Sequence, residues 1–189
     1  MWAQINHTLR QKVRAAAGKT AEPSGAILDS QSIQTGDQAC ASGYAAGKKI
    51  EGRKRHVVVD TLGLLLWVIV GPANVQDRDG ARPLLQAVLQ LCGGLRKIWA
   101  DSGYAGALVQ WFQAQVGTRD CVLEIVRRLE GVGGFHILPK RWIVERTLGW
   151  LVKSRRLARD YETATQSSEA MIYLTMIRLM LKRLANVNP

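Results

Sequence analysis

KIWADSGYAG (Lys97–Gly106) predicts a short apolar strand that ends in a single acid, Asp101, and then turns at Gly103 and Gly106. In open α/β sheets, ligands bind beyond the carboxyl ends of the strands, so an acid at this point is a candidate for catalysis. The alternative is a turn whose Asp–Ser pair caps the next helix, which is a common use of acids at turns. The rest of the chain is needed to choose between these two interpretations.

Length and charge narrow the class of protein. The 189 residues favour one domain with a substantial core. The net charge of +11 indicates a polyanionic partner, of which nucleic acid is the most common. The alternative is a basic surface that only keeps the protein in solution.

The cysteines and the apolar runs indicate a compartment. Cys40, Cys92 and Cys121 form no CxxC pair, so the sequence suggests reduced thiols in a cytosolic protein rather than a zinc site or disulfides. The most apolar run, Leu62–Val70, is far shorter than the ~20 residues that span a bilayer. We therefore predict a soluble protein with no membrane partner.

Hydrophobic periodicity predicts a mixed α/β sheet with helices on its faces. The predicted helices cover residues 2–17, 81–91 with a start at Asp77, 107–116, 141 onward and 169–184. The predicted strands cover 26–33, 57–60, 64–70, 97–100 and 122–126, with residues 34–48 and 130–136 as loops. Both strands of the predicted hairpin, 57–60 and 64–70, are almost wholly apolar, so we expect cover on both faces.

Three acids lie at positions where an active site is expected in such a sheet. Asp29 lies in the first predicted strand, Asp101 ends a later one, and Glu145 lies in a helix that opens after Pro139. Converging carboxylates repel one another, and hard cations such as Mg²⁺ or Mn²⁺ relieve that repulsion. Each acid has an ordinary alternative: Asp29 could be a turn residue, Asp101 a helix cap and Glu145 one partner of a surface salt bridge. Spacing alone does not exclude these alternatives.

Four segments are informative as an ordered set: ILDSQSI (27–33), GKKIEGRKRHVVVDTLGLLL (47–66), ADSGYAG (100–106) and PKRWIVERTLGWLVKSRRLARDYE (139–162), with ANVQDRDGA between them. Together they resemble the DDE-type (Asp-Asp-Glu) transposases of bacterial insertion sequences, a group with an RNase H-like catalytic core. The resemblance implies an α/β fold, an RNase H-like mixed sheet flanked by helices. It also implies that Asp29, Asp101 and Glu145 are catalytic and hold two metal ions, Mg²⁺ or Mn²⁺.

The last segment carries the most specific part of the resemblance. Arg141 lies four residues before Glu145 on the same helical face, which would let it orient that carboxylate or hold a phosphate. The family usually has a tyrosine at the position of Leu138 and a lysine at the position of Val152, so the chain departs from the pattern twice. The replacement cations, which are also predicted DNA contacts, are Lys153, Arg155 and Arg156.

A second group of predicted DNA contacts is the basic block before the first hairpin strand: Lys48, Lys49, Arg53, Lys54 and Arg55. Because these residues precede a buried strand, we expect them at its exposed entrance, where they would contact phosphates. The alternative is an edge-strand solubility device. Asp77 and Asp79 are interpreted as helix-capping acids, and Trp142 as a rim residue or a stacking partner for a base.

The resemblance implies residues 1–25 as an N-terminal helix and linker, the remnant of a DNA-binding region, and residues 26–189 as the catalytic domain. The implied function is metal-dependent DNA strand cleavage and strand transfer during transposition. The alternatives are an impaired or truncated remnant that only binds DNA, and an RNase H-like nuclease without strand transfer. The implied partners are double-stranded DNA, a homo-oligomer on DNA and an upstream-frame product, in a bacterial cytoplasm in association with the nucleoid.

Overall fold

The computed structural model describes residues 1–36, 39–126 and 140–187. Over these residues the helices are α1 (Trp2–Ala16), α2 (Asp77–Leu91), α3 (Ala107–Val116), α4 (Arg141–Val152), α5 (Arg155–Ala158) and α6 (Thr165–Val187). The strands are β1 (Gly25–Gln34), β2 (Gly43–Ala45), β3 (Ile50–Asp60), β4 (Leu65–Pro72), β5 (Lys97–Asp101) and β6 (Val122–Val126). In the part of the chain that the structure describes, we find no helix long and apolar enough to cross a membrane.

Strand β1 lies inside the sheet, between an antiparallel and a parallel half. It pairs antiparallel with β3 on one side and parallel with β5 on the other, and β6 continues the parallel half. Strands β2 and β4 both pair antiparallel with β3, at different points along it. This order confirms the predicted α/β fold class, a mixed sheet flanked by helices.

The sheet has a hydrophobic core on each face, because successive side chains of a strand point to opposite sides. On β1, Leu28 packs into the core formed with α2 and α3, and Ile27 packs into the core formed with α4, α5 and α6. Val58 and Val57 divide in the same way on β3. The prediction of strands covered on both faces is therefore confirmed.

Two boundaries differ from the prediction. The predicted loop 34–48 contains the short strand β2, and β3 begins at Ile50 rather than at Val57. Residues 53–56 are therefore part of a central strand, with neighbours on both edges. The predicted glycine-rich loop 130–136, together with Leu138 and Pro139, lies outside the described residues.

Helix α1 packs on α6 and β4 through polar side chains as well as apolar ones. Asn6 donates to the carbonyl of Leu65 over 2.8 Å, and Arg14 lies 2.7 Å from the buried carboxylate of Asp60. Asp60 also accepts hydrogen bonds from backbone N–H groups of the β3–β4 turn. The division of the chain at residue 25 stays a prediction, but α1 is fastened to the same sheet that carries Asp29.

Candidate active site

Strand register places Asp29 beside Asp101. The last paired position of the parallel strands β1 and β5 joins Ile27 to Trp99, and each aspartate lies two residues beyond it on its own strand. A separation of two residues keeps a side chain on the same face. Both carboxylates therefore belong to the face on which Ile27 and Trp99 pack, which is the face covered by α4.

Helix α4 supplies the third acid from above that face. Its apolar side chains, among them Val144 and Leu148, are buried in the core against β1 and β3. Glu145 lies on the outer side of the helix, and its side chain is 50% exposed. The hydroxyl of Thr147 donates to the carbonyl of Gly63 over 2.8 Å, which fixes the helix against the β3–β4 turn.

Arg141 links two of the acids. Its Nη1 lies 3.4 Å from Oδ2 of Asp101, and its Nη2 lies 3.2 Å from Oε1 of Glu145. The predicted position of Arg141, one turn before Glu145 on the same face, is thereby confirmed. The positive charge of Arg141 also acts to lower the pKa of Asp29, so its field reaches the third carboxylate as well.

The pKa of Asp29 is perturbed by its surroundings. Burial raises its pKa to about 6, and the nearby negative charges of Asp101 and Glu145 act in the same direction. The backbone N–H of Ser30, which donates to Oδ1 of Asp29 over 2.7 Å, and the charge of Arg141 act against that rise. A carboxylate pushed toward its neutral form in this way gains most from an added cation.

The donor chemistry suits a hard divalent cation, since carboxylate oxygens are the ligands that Mg²⁺ and Mn²⁺ prefer. Among residues 1–36, 39–126 and 140–187, however, no three His, Cys, Asp or Glu side chains form a ready metal-binding group. Arg141 lies between Asp101 and Glu145 and is the cation of this site. The prediction of two metal ions stays a prediction.

The turn after β5 serves both interpretations of Asp101. Oδ1 accepts a hydrogen bond of 2.8 Å from the N–H of Gly103 and so caps the short 3₁₀ turn Ser102–Tyr104, while Oδ2 faces Arg141. Gly106 has a φ of +85°, a conformation that favours glycine, and it precedes the first residue of α3. The capping and the active-site positions are therefore compatible in one side chain.

The predicted exposure of the basic block is wrong for three of its residues. Arg53 and Arg55 are fully buried and Lys54 is only 8% exposed, because β3 lies between β1 and β4 with helices over both faces. Such charges are tolerated in a core only when they are paired or hydrogen-bonded. We therefore remove Arg53, Lys54 and Arg55 from the set of DNA contacts.

The buried arginines join the sheet to the chain after α4. Arg53 lies 3.3 Å from Asp160 and donates to the hydroxyl of Ser168 over 2.8 Å. Arg55 donates to the carbonyl of Leu157 over 2.9 Å. Asp160 in turn donates its backbone N–H to the carbonyl of Gln34 at the end of β1. The block thus holds the α4–α6 connection against the strand that carries Asp29.

The remaining predicted DNA contacts are on the surface. Lys48 and Lys49 are exposed beside β2, and Lys153, Arg155 and Arg156 are exposed after α4. Arg156 pairs with Glu162 over 2.8 Å. Trp142 is 45% exposed beside Arg141, and the guanidinium of Arg146 lies 4.6 Å from its ring centroid.

Asp77, which the sequence predicts only as a helix-capping acid, is a polar neighbour of the site. It lies in the first turn of α2, but its carboxylate accepts a hydrogen bond from Ser30 over 2.8 Å and lies 2.9 Å from Nζ of Lys54. Burial favours its neutral form, yet the hydrogen bonds from Lys54 and Ser30 outweigh that effect and lower its pKa. The one available signal was the position of Asp77 inside ANVQDRDGA.

Comparisons with known proteins identify the family of the chain. Residues 20–180 match the family described as the transposase DDE domain. The chain is 32% identical over 133 residues to a Burkholderia cepacia protein named "Putative transposase for insertion sequence element IS402". That match covers 65% of this chain and 60% of the length of the relative. The structure of the catalytic domain of Mos1 mariner transposase aligns over 98% of this chain and 91% of the Mos1 chain, with a TM-score of 0.43 and 10% sequence identity.

Proposed function

Because the chain belongs to the transposase DDE domain family, we propose that it cleaves DNA strands and joins them to a target in a metal-dependent reaction. The observation that carries the proposal is that Arg141 contacts both Asp101 and Glu145, while the strand register places Asp29 beside Asp101. Two strands and a helix from separate parts of the chain supply these acids. Neighbouring carboxylates repel one another and so do not stabilise the fold, which favours a functional role for this arrangement.

Asp29, Asp101 and Glu145 would hold the metal, and each has a distinct local support. Asp29 is fixed within β1 by its pairing with Val57 of β3, Asp101 is oriented by the N–H of Gly103, and Glu145 is carried by a helix packed on the sheet. Bound Mg²⁺ or Mn²⁺ would supply activation of a water or a 3′-hydroxyl and stabilisation of the leaving oxygen. The protein's own contribution is the positioning of these carboxylates and of Arg141.

Arg141 has two partners in the protein and a third on DNA. In the DNA-free chain it satisfies Asp101 and Glu145, and its side chain is 24% exposed, so it is accessible from solvent. A guanidinium suits a phosphate as well as it suits a carboxylate. We assign Arg141 to the phosphate next to the scissile bond once metal neutralises the acids.

The DNA path that we propose runs over the exposed basic residues of two segments. Lys48 and Lys49 follow β2, and Lys153, Arg155 and Arg156 follow α4. Contacts of this type hold the phosphate backbone without reading the bases. The substrates are double-stranded element ends and target DNA, and a homo-oligomer or an upstream-frame product would supply end recognition.

The test compares nicking of supercoiled DNA in Mn²⁺ by the wild type, Asp101→Asn and Glu145→Gln. We expect both variants to lose activity and the control Asp120→Asn to keep it, because Asp120 is an exposed acid that pairs only with Arg96 among the described contacts. Equal nicking by wild type and Asp101→Asn would remove the assignment, as would complete inactivity of the wild type.

Strand transfer needs a separate assay with pre-cleaved element ends and a target plasmid. Joining of the 3′ ends to the target supports a transposase. Nicking without joining would indicate an RNase H-like nuclease, and DNA binding without either reaction would indicate an inactive remnant.

A further inference from the structure

A cavity of about 450 Å³ adjoins the candidate active site. One wall is β2 with the turn after it, and the opposite wall is the segment that leads into α2. Gly103 closes the end nearest the carboxylates, and its N–H donates to Asp101 over 2.8 Å. One end of the cavity therefore lies next to Asp101, one of the predicted metal ligands.

The cavity offers cations to an incoming ligand. Lys48 and Arg78 line it and are exposed. A Cβ built on Gly106 would lie 3.9 Å from Nη1 of Arg78, so this guanidinium reaches over the turn that follows Asp101. Lys54 and Asp77 also line the cavity, but they neutralise each other across 2.9 Å. The remaining positive charge favours a phosphate beside the carboxylates.

The cavity also offers an aromatic face. Tyr44 on β2 lines it, and 57% of the residue is exposed. The amide side chains of Asn74 and Gln76 lie on the opposite wall and present both donors and acceptors. Cations for the backbone, an aromatic ring for stacking and amides for a base edge are the elements of single-strand recognition.

We propose that this cavity binds an unpaired nucleotide of the DNA strand, next to the phosphate held at Asp101. Bases in an intact duplex are stacked inside it, so only an unpaired base presents its face to Tyr44. The volume lies within the range of about 300–1,000 Å³ that holds small ligands in proteins. This inference rests on the proposed function, because the strand must enter the cavity from the carboxylates.

The experiment measures equilibrium binding of fluorescent DNA by anisotropy in EDTA, so that no cleavage occurs. The probes are a blunt duplex and the same duplex with a short unpaired tail at its 3′ or its 5′ end. We expect the wild type to prefer tailed DNA, and Tyr44→Ala to lower that preference by about fivefold or more, the value of one base–aromatic stack. Arg78→Gln should lower it as well, whereas Tyr44→Phe keeps the ring and should retain it.

The matched control is Tyr161→Ala, because Tyr161 is also 55% exposed but does not line this cavity. It should bind both probes as the wild type does. The proposal is overturned if the wild type shows no preference for a tail, if Tyr44→Ala weakens both probes equally, or if Tyr161→Ala has the same effect. Circular dichroism of each variant establishes that it is folded.

The two proposals fail in different assays. Cleavage and joining without any tail preference would leave the proposed function standing and remove the cavity assignment. Tail preference that depends on Tyr44, in a protein that neither nicks nor joins DNA, would remove the catalytic proposal and leave the nucleotide site.

Discussion

Nη1 of Arg141 lies 3.4 Å from Oδ2 of Asp101. The two residues come from different elements, α4 and β5, and their contact places a permanent positive charge where the proposed metal would bind. Opposite charges stabilise ionised carboxylates, and two cations compete for the same oxygens. Metal binding therefore requires this contact to open.

Arg141→Gln should raise the affinity of the DNA-free protein for Mn²⁺. Removal of a unit charge beside the ligands should strengthen binding by roughly threefold, since solvent-exposed charge pairs interact by about 0.2–1 kcal/mol. Electron paramagnetic resonance of Mn²⁺ measures the free ion directly. Arg178→Gln, which removes the same charge from an exposed position on α6, is the control. Unchanged or weaker Mn²⁺ binding by Arg141→Gln would contradict the competition.

Asp29 should make the metal-free protein less stable as the pH rises. Its folded pKa of about 6 exceeds the ordinary value of 3.8, so the folded state binds the proton more tightly than the unfolded state. This contribution to stability is complete below about pH 4 and is lost as the pH rises through about 6. Asp29→Asn lacks it, so the free energy of unfolding of the wild type should fall by up to about 3 kcal/mol relative to the variant as the pH rises over this range. Urea titrations in EDTA at several pH values measure the difference, and parallel curves would exclude the effect.

Arg53→Met should destabilise the fold strongly. The substitution leaves the buried Asp160 without its cation and also removes the hydrogen bond that Arg53 donates to Ser168. Loss of one partner of a buried ion pair costs about 3–5 kcal/mol. Urea unfolding gives the value, with Lys49→Gln as an exposed control from the same basic block that should stay within about 0.5 kcal/mol of the wild type. A loss below about 1 kcal/mol would show that the pair contributes little.

Two glycines inside helices should respond to alanine with opposite signs. A Cβ on Gly80 of α2 would lie 2.2 Å from Nε2 of the buried His56, so Gly80→Ala should cost about 1–3 kcal/mol. A Cβ on Gly149 of α4 meets nothing within 4 Å, so Gly149→Ala should stabilise by about 0.5–1 kcal/mol. Thermal unfolding of both variants measures the pair. The same sign for both would contradict the packing described for α2.

The exposed lysines should govern the salt dependence of DNA binding. The affinity for duplex DNA should fall steeply with salt, and the double variant Lys48→Gln, Lys49→Gln should lower the slope of log K against log salt by about 2. Filter binding or anisotropy over a salt series measures it. A slope equal to that of the wild type would remove these lysines from the DNA path.

Local sequence was sufficient for elements whose signals are local. Helix α3 and strand β6 have the predicted bounds, because apolar periodicity and flanking glycine or polar residues mark both ends. Strand β3 was predicted too short, because charged residues normally indicate solvent. The groups that satisfy Arg53 and Arg55, on Asp160 and Leu157, are more than 100 residues away along the chain. No local pattern reports such partners.

The candidate site also combines features that local sequence indicates with features that depend on the tertiary structure. Spacing alone left Asp29, Asp101 and Glu145 with ordinary alternatives, and the resemblance selected them. Their convergence depends on the register of β1 against β5 and on the docking of α4, which are tertiary facts. The cavity beside Tyr44 also depends on the fold, because β2 was expected to be loop and Asp77 to be only a cap.

The contacts of Thr147, Arg53 and Asp160 have a consequence for the way the chain can be divided. Helix α4 is held on the sheet by the hydrogen bond from Thr147 to Gly63 and by burial of its apolar side chains against β1 and β3, and it also packs on α6. These contacts are non-covalent, so we expect a protein opened between residues 126 and 140 to keep them. Glu145 thus lies on a segment that we expect to bind the rest of the protein without a covalent link. Two separate polypeptides, one of which supplies Glu145, could therefore assemble the same site.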